Sequence, residues 1–98
     1  MYEVKFDPRA SNDILTIFAY VSAHAGANVA SAYVRRLEAR CRAMGDAPLA
    51  GSPHDELLPG LRTAPFERRA TIAYTFDREV VTILQVIHAG RDIGASFS

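Results

Sequence analysis

Polar and apolar positions alternate at the start of the chain, where Glu3 and Lys5 separate Tyr2, Val4 and Phe6. A two-residue period puts one side of an extended segment in a core and the other in water, so Tyr2 to Phe6 is predicted to be a strand. The period then changes. Asp7 followed by Pro8 reads as an N-cap and first helical residue, since the carboxylate accepts an orphan backbone N–H and proline has none to leave unbonded. From Pro8, Ile14, Ile17, Phe18 and Val21 recur at helical spacing, with Ala10 below and Leu15 at the rim of a wide apolar stripe, and Gly26 supplies a stop. Asn28 then offers a cap for a second helix, in which Ala30, Tyr33, Val34, Leu37, Cys41 and Met44 share one face. That helix is expected to end near Met44, before Gly45. The short link between the two predicts an antiparallel helical hairpin with facing stripes.

From Gly45 to Gly60 the helical pattern is gone. Pro48, Gly51, Pro53 and Pro59 exclude a continuing helix or a central strand, so a surface loop is expected. Leu61 to Phe66 reads as a strand that Pro65 confines to an edge or early position. Arg69 to Phe76 and Val80 to His88, separated by Asp77, Arg78 and Glu79, read as a β-hairpin. Strict alternation in the last strand puts Val81, Ile83 and Ile87 on one face and Val80, Leu84 and Val86 on the other, so it belongs in the interior of the sheet with both faces covered. The order β-α-α-β-β-β predicts an α+β fold, a helical hairpin packed on one face of a mainly antiparallel sheet. Something must cover the far face, either a tail carrying Phe97 or a partner.

Length adds one constraint: 98 residues fit a single domain spanning 1–98. Composition agrees with a folded chain, with 49% hydrophobic residues, 22% charged residues and a formal net charge of zero. One cysteine forms no internal bridge and no zinc-ligand cluster is evident, which fits a reducing cytoplasm. No export signal and no membrane-spanning run of about 18–20 apolar residues is read. Charge is unevenly placed, because Arg35, Arg36, Arg40 and Arg42 make the second helix basic while Asp46, Asp55, Glu56 and Glu67 follow it. A zero total argues against unaided, sequence-blind nucleic-acid binding, which rests on phosphate neutralisation.

Candidate chemistry is sparse. Cys41 sits on an apolar stripe and reads as a buried thiol, and His24 in the last turn of the first helix as a capping or solvated imidazole. His54, Asp55 and Glu56 lack the regular spacing of a metal site, and the two adjacent carboxylates lack a third group to orient them. The serines form no nucleophile elbow and no phosphate loop is present. No catalytic residue, metal site or cofactor is therefore predicted. The end of the last strand differs, since His88-Ala89-Gly90-Arg91-Asp92 places His88 and Arg91 where they either face a macromolecule or, for Arg91, pair with a nearby carboxylate.

Four elements in order resemble the ParE branch of the ParE/RelE toxin superfamily. They are Ala10, Asp13, Ile14, Ile17 and Tyr20 in the first helix, then Gly26, Ala30, Tyr33 and Leu37 in the second. Pro48 and Gly51 followed by Glu56-Leu57-Leu58-Pro59-Gly60-Leu61-Arg62 form the third, and Ile83-Leu84, Val86, His88, Arg91 and Asp92 the last. The resemblance implies a cytoplasmic toxin of a type II toxin–antitoxin pair. Such a toxin inhibits bacterial DNA gyrase by protein binding, has no catalytic site of its own, and is neutralised by a ParD-like antitoxin in a hetero-oligomer with an antitoxin dimer. Contact with DNA would be indirect, through the antitoxin.

On that reading Arg62, Arg69, His88 and Arg91 are the expected target-binding residues. Tyr2 and Val4 on a possible edge strand, Leu15 and Phe18 on the first helix, and Arg35, Arg36, Arg40 and Arg42 on the second are expected to meet the antitoxin. Two alternatives stay open. One is a RelE-like ribosome-dependent mRNA endonuclease using Arg62, Arg69, His88 and Arg91, against which stand the zero net charge and the small Thr71, Ala73 and Thr75 on one sheet face. The other is a non-toxic relic that still binds antitoxin.

Overall fold

A computed structural model describes residues 2–88. Strand β1 (Glu3–Phe6) leads into helix α1 (Pro8–Ala25), helix α2 (Ala27–Ala43), a 3-10 turn at Pro48–Ala50, and strands β2 (Ser52–Pro53), β3 (Arg62–Phe66), β4 (Ala70–Asp77) and β5 (Val80–His88). The sheet order is β1-β5-β4-β3-β2, with β1 parallel to β5 and every other pair antiparallel. The α+β expectation holds: the helical hairpin packs on one face of a mixed, mainly antiparallel sheet. No helix among the described residues is long and apolar enough to cross a membrane.

The caps explain the helices, with one correction. Asp7 accepts the Arg9 N–H at 2.9 Å and Pro8 opens α1, as their order requires. Asn28, however, lies inside α2, which begins at Ala27 with Gly26 as its cap residue and no side-chain cap bond. Gly26 ends one helix and starts the next because its φ of 94° turns the chain back in a single residue, a conformation other residues adopt only at a cost. The two stripes meet the sheet: Ala10, Ile14, Ile17, Tyr33, Leu37, Cys41 and Met44 pack on Phe66, Ile72, Tyr74, Val81, Ile83 and Val86. Burial pushes the Cys41 thiol up to about 12, so it remains protonated and serves as core.

Strict alternation fails in β5. The register shifts between Ala73 and Tyr74, which pair with Gln85 and Ile83 and leave Leu84 as an extra residue in a β-bulge. One inserted residue exchanges the faces beyond it. Val81 and Ile83 therefore face the helices, and so do Val86 and His88, while Ile87 turns to the opposite side; the expected grouping of Ile87 with Val81 and Ile83 is corrected accordingly. Past Ile83, where β1 has ended, the Val86 N–H donates to Asp13 of α1 at 2.9 Å. The expected covering tail with Phe97 lies outside the described residues.

The 48–62 loop contains more structure than its prolines suggest. Two-residue β2 pairs Ser52 with Thr63 and Pro53 with Arg62. The Tyr74 hydroxyl accepts the Gly51 N–H at 2.9 Å and donates to the Pro48 carbonyl at 2.7 Å. Gly51 must be glycine here, because a Cβ would meet the Tyr74 hydroxyl and, at 2.8 Å, the Thr63 carbonyl.

Candidate functional site

The β3–β4–β5 pairing places Phe66, Ala70 and His88 side by side in one cross-strand row on the helix-covered face. Ala70 is small, and the ring of Tyr33 from α2 stands above the row, 5.3 Å edge-on to Phe66 and 6.3 Å from His88. From α1, Tyr20 lies 5.9 Å edge-on to His88 and 4.2 Å from the His24 ring, whose Nδ1–H donates to the Tyr20 carbonyl at 2.8 Å. The tight turn after β3 supplies the remaining wall: Glu67 and Arg68 both take positive φ (48° and 60°), and the Arg69 N–H closes on the Phe66 carbonyl at 3.1 Å. Together these elements enclose a cleft of about 390 Å³ whose polar lining includes Tyr33, Arg36, Glu67, Arg69 and His88. A smaller hollow of about 200 Å³ adjoins it, sharing Tyr20 and His88 and reaching Asp13.

The charges in the cleft are unequal in their commitments. Arg36 grips Glu67 with two bonds of 2.7 and 3.1 Å, which holds the Glu67 carboxyl below its ordinary range and raises the guanidinium. Arg69 has no side-chain partner among the described residues. Burial, with Arg69 nearby, lowers His88 and keeps its imidazole neutral near pH 7. Burial, with Glu67 nearby, raises Tyr33 and keeps its phenol protonated. The Tyr33 hydroxyl and His88 Nε2 are both buried with no hydrogen-bond partner among the described residues. A group in that state costs on the order of 1–3 kcal/mol.

Of the residues expected to bind a target, Arg69 and His88 meet in this cleft and Arg62 does not. Arg62 lies four residues along β3 from Phe66, roughly 13 Å at strand rise, and its guanidinium donates to the carbonyls of Gly51 at 2.7 Å and Leu49 at 3.3 Å. Arg91 lies outside the described residues.

The residues expected to meet an antitoxin divide between places. Tyr2 and Val4 are half-buried against the core, Tyr2 edge-on to Phe76 at 5.7 Å, but β1 is an edge of the sheet and presents its outer backbone. Leu15 is 68% exposed and lines a second groove, of about 320 Å³, with Phe6 and Arg42, whose guanidinium sits 5.3 Å over the Phe6 ring. Phe18 is half-buried and Arg35 exposed. Arg40 reaches Met44 Sδ at 4.0 Å, and Arg36 belongs to the His88 cleft. His54 Nδ1 lies 3.3 Å from Glu56, and no group of three or more metal-ligating side chains occurs among the described residues.

Tyr33 was legible only as part of a core stripe. The signal for more was its chemistry, because a buried tyrosine ordinarily finds a partner for its hydroxyl, and phenylalanine would have served packing alone. Glu67 gave no signal, since its partner Arg36 is 31 residues away.

Among solved structures, one titled "Chromosomal ParDE TA system from P. aeruginosa" matches with a TM-score of 0.79 and 19% sequence identity, covering 91% of this chain and 97% of that chain. At that identity the likeness is one of fold. No curated protein sequence matches. The family model described as "ParE toxin of type II toxin-antitoxin system, parDE" matches residues 4–93, a span that takes in every residue lining the cleft, the hollow and the groove. The chain therefore belongs to the ParE toxin family.

Proposed function

We propose that this protein is the toxin of a type II toxin–antitoxin pair that inhibits DNA gyrase by docking its folded surface onto the enzyme, and that a ParD-like antitoxin neutralises it. The observation that carries the reading is a division of the surface. The Phe6–Leu15–Arg42 groove adjoins the N-terminal half of α1 and the β1 edge, whereas the His88 cleft adjoins the C-terminal half of α1. Ser11 and Val21, one in each, are ten helical residues apart, about 15 Å of axial rise. An antitoxin that lays an apolar helix face on Leu15 and adds a strand to β1 uses the first surface. Arg69 and His88 at the second are left to the target. Docking of this kind needs no bond-making group, and the bond chemistry belongs to gyrase.

A nuclease reading would need its cations on one scissile phosphate. The commitment of Arg62 to loop carbonyls some 13 Å along the sheet speaks against that set. The test is direct: purified protein should block supercoiling by gyrase and accumulate cleaved DNA while leaving cell-free translation intact. Arrested translation with unaffected gyrase would reverse the choice in favour of the nuclease. Adding a ParD-like antitoxin should restore supercoiling. Replacing Leu15 by Asp should abolish that rescue without abolishing inhibition, and rescue that survives Leu15→Asp would remove the groove from the antitoxin interface.

A further inference from the structure

The face exchange in β5 decides which side chain closes the row beside Phe66 and Ala70. Two registers compete beyond Ile83. In the observed one Leu84 is the extra residue, Val86 stands opposite Ile72 and His88 opposite Ala70 on the helix-covered face, while Gln85 and Ile87 face away. Without the extra residue the ladder would run on unbroken, with Gln85 opposite Ile72 and Ile87 opposite Ala70, and His88 would leave the row. Apolar patterning leaves the two nearly level, because each sets one aliphatic and one polar side chain under the helices. Nor does Asp13 choose between them, since its carboxylate meets the N–H of whichever residue stands opposite Ile72. What differs is the depth at which the polar side chain is held.

We infer that Gln85 is the positioning residue that seats His88 in the cleft: its amide is excluded from the core site opposite Ile72, and the strand inserts Leu84 to turn it to the other face. The inference rests on the target reading above only for its effect on gyrase. The core site is deep, with Ile72 fully buried and Val86 at 3% exposure. A primary amide placed there would give up its water among aliphatic side chains. The far face accepts it instead. Gln85 lies there in one cross-strand row with Ala73 and Thr63, and it is not without a partner. The polar side chain left under the helices is then His88, which sits at the end of β5, half-buried, where the cleft rather than the core receives it. The bulge leaves only Leu84 without a place in the ladder, a smaller loss than an amide stripped of its bonds in an apolar core.

The experiment reads the register of the full chain by NMR, from close cross-strand Hα–Hα contacts. Val86 turns its N–H away from β4 to Asp13, so Ile72–Val86 and Ala70–His88 are the closely spaced pairs whose Hα atoms meet. Gln85→Val, and Gln85→Met with its nearly unchanged length, remove the amide and let an unbroken ladder set two aliphatic side chains under the helices. In both, the Ala70–His88 contact should give way to Ala70–Ile87, and gyrase inhibition should weaken about tenfold. Gln85→Asn, which keeps an amide, should retain Ala70–His88 and inhibition. Deleting Leu84 from the Gln85→Val chain removes the residue that the bulge holds, so His88 should return opposite Ala70 and inhibition with it. That rescue is a result that mere damage to the strand would not give. An Ala70–His88 contact that survives both Gln85→Val and Gln85→Met, an Ala70–Ile87 contact in Gln85→Asn, or no return of His88 on deletion of Leu84 would each overturn the inference. A register that shifts while gyrase inhibition stays at the parental level would refute the place of the cleft in target binding and keep the inference.

Discussion

The 48–62 loop and the His88 cleft each hold a buried tyrosine and an arginine put to opposite use, Tyr74 and Arg62 in the one and Tyr33 and Arg69 in the other. At the loop, the Tyr74 hydroxyl makes two hydrogen bonds and Arg62 bonds two carbonyls, so both side chains are spent on holding the chain. At the cleft, the Tyr33 hydroxyl makes none, and the Arg69 side chain has no partner among the described residues. Both tyrosines are buried, at 0% and 7% exposure, so the difference is one of partners rather than depth. Burying a polar group stabilises a fold only when its bonds are replaced, so the two tyrosines contribute to stability with opposite sign.

Several substitutions sharpen or break that contrast. The largest effect is expected for Tyr74→Phe, which removes two bonds and strands the buried Gly51 N–H. Denaturant unfolding should show a loss of about 2–3 kcal/mol, opposite in sign to Tyr33→Phe, which removes a hydroxyl without a partner among the described residues and should gain about 1 kcal/mol. Equal losses at the two tyrosines would erase the distinction. Next comes Asp13→Ala, which leaves the Val86 N–H beside the bulge without its carboxylate and should cost about 1.5–3 kcal/mol by the same measurement. Arg62→Met keeps the aliphatic stem but frees the loop carbonyls, for a loss of about 1 kcal/mol and faster proteolysis near Leu49. Arg69→Met should stay within about 0.5 kcal/mol of the parent, because its exposed side chain has no hydrogen-bond or ion-pair partner among the described residues.

The smallest effect concerns pH. Burial disfavours protonated His88 in the folded state, so the unfolded chain takes up that proton more readily. Its contribution to stability is complete above the ordinary imidazole value near 6.5 and is lost as pH falls through the lowered folded value. Unfolding curves of the parent and of His88→Gln should accordingly converge as the solution is acidified below about 6.5, and parallel curves would show that His88 is not shielded.

Much of the architecture was legible because its causes are local. Asp7-Pro8 starts a helix wherever it meets an apolar stripe, and Gly45 and Gly26 stop one. The misreadings arose where a long-range event overrode a local rule. Leu84 carries no mark of a bulge, yet one unpaired residue moved Ile87 away from the helices and turned Val86 and His88 toward them. Asn28 is a good cap by composition, but Gly26 had already reversed the chain. The site was less legible still. Arg69 and His88 come together through the pairing of Ala70 with His88, which sequence spacing does not encode. Arg62 shows a cation without revealing that two backbone carbonyls occupy it. Unsatisfied bonding at Tyr33 is a property of its surroundings, so no inspection of the residue itself could find it.

The parallel pairing of β1 with β5 joins Glu3 to Val80, the earliest part of the chain to nearly the last. During synthesis at roughly 5–20 residues per second, the opening strand waits some 4–15 s before its neighbour leaves the ribosome. Until then neither the closing row that carries His88 nor the pocket wall beside it exists. A surface built on that row is therefore completed only after nearly all of the described chain has been made.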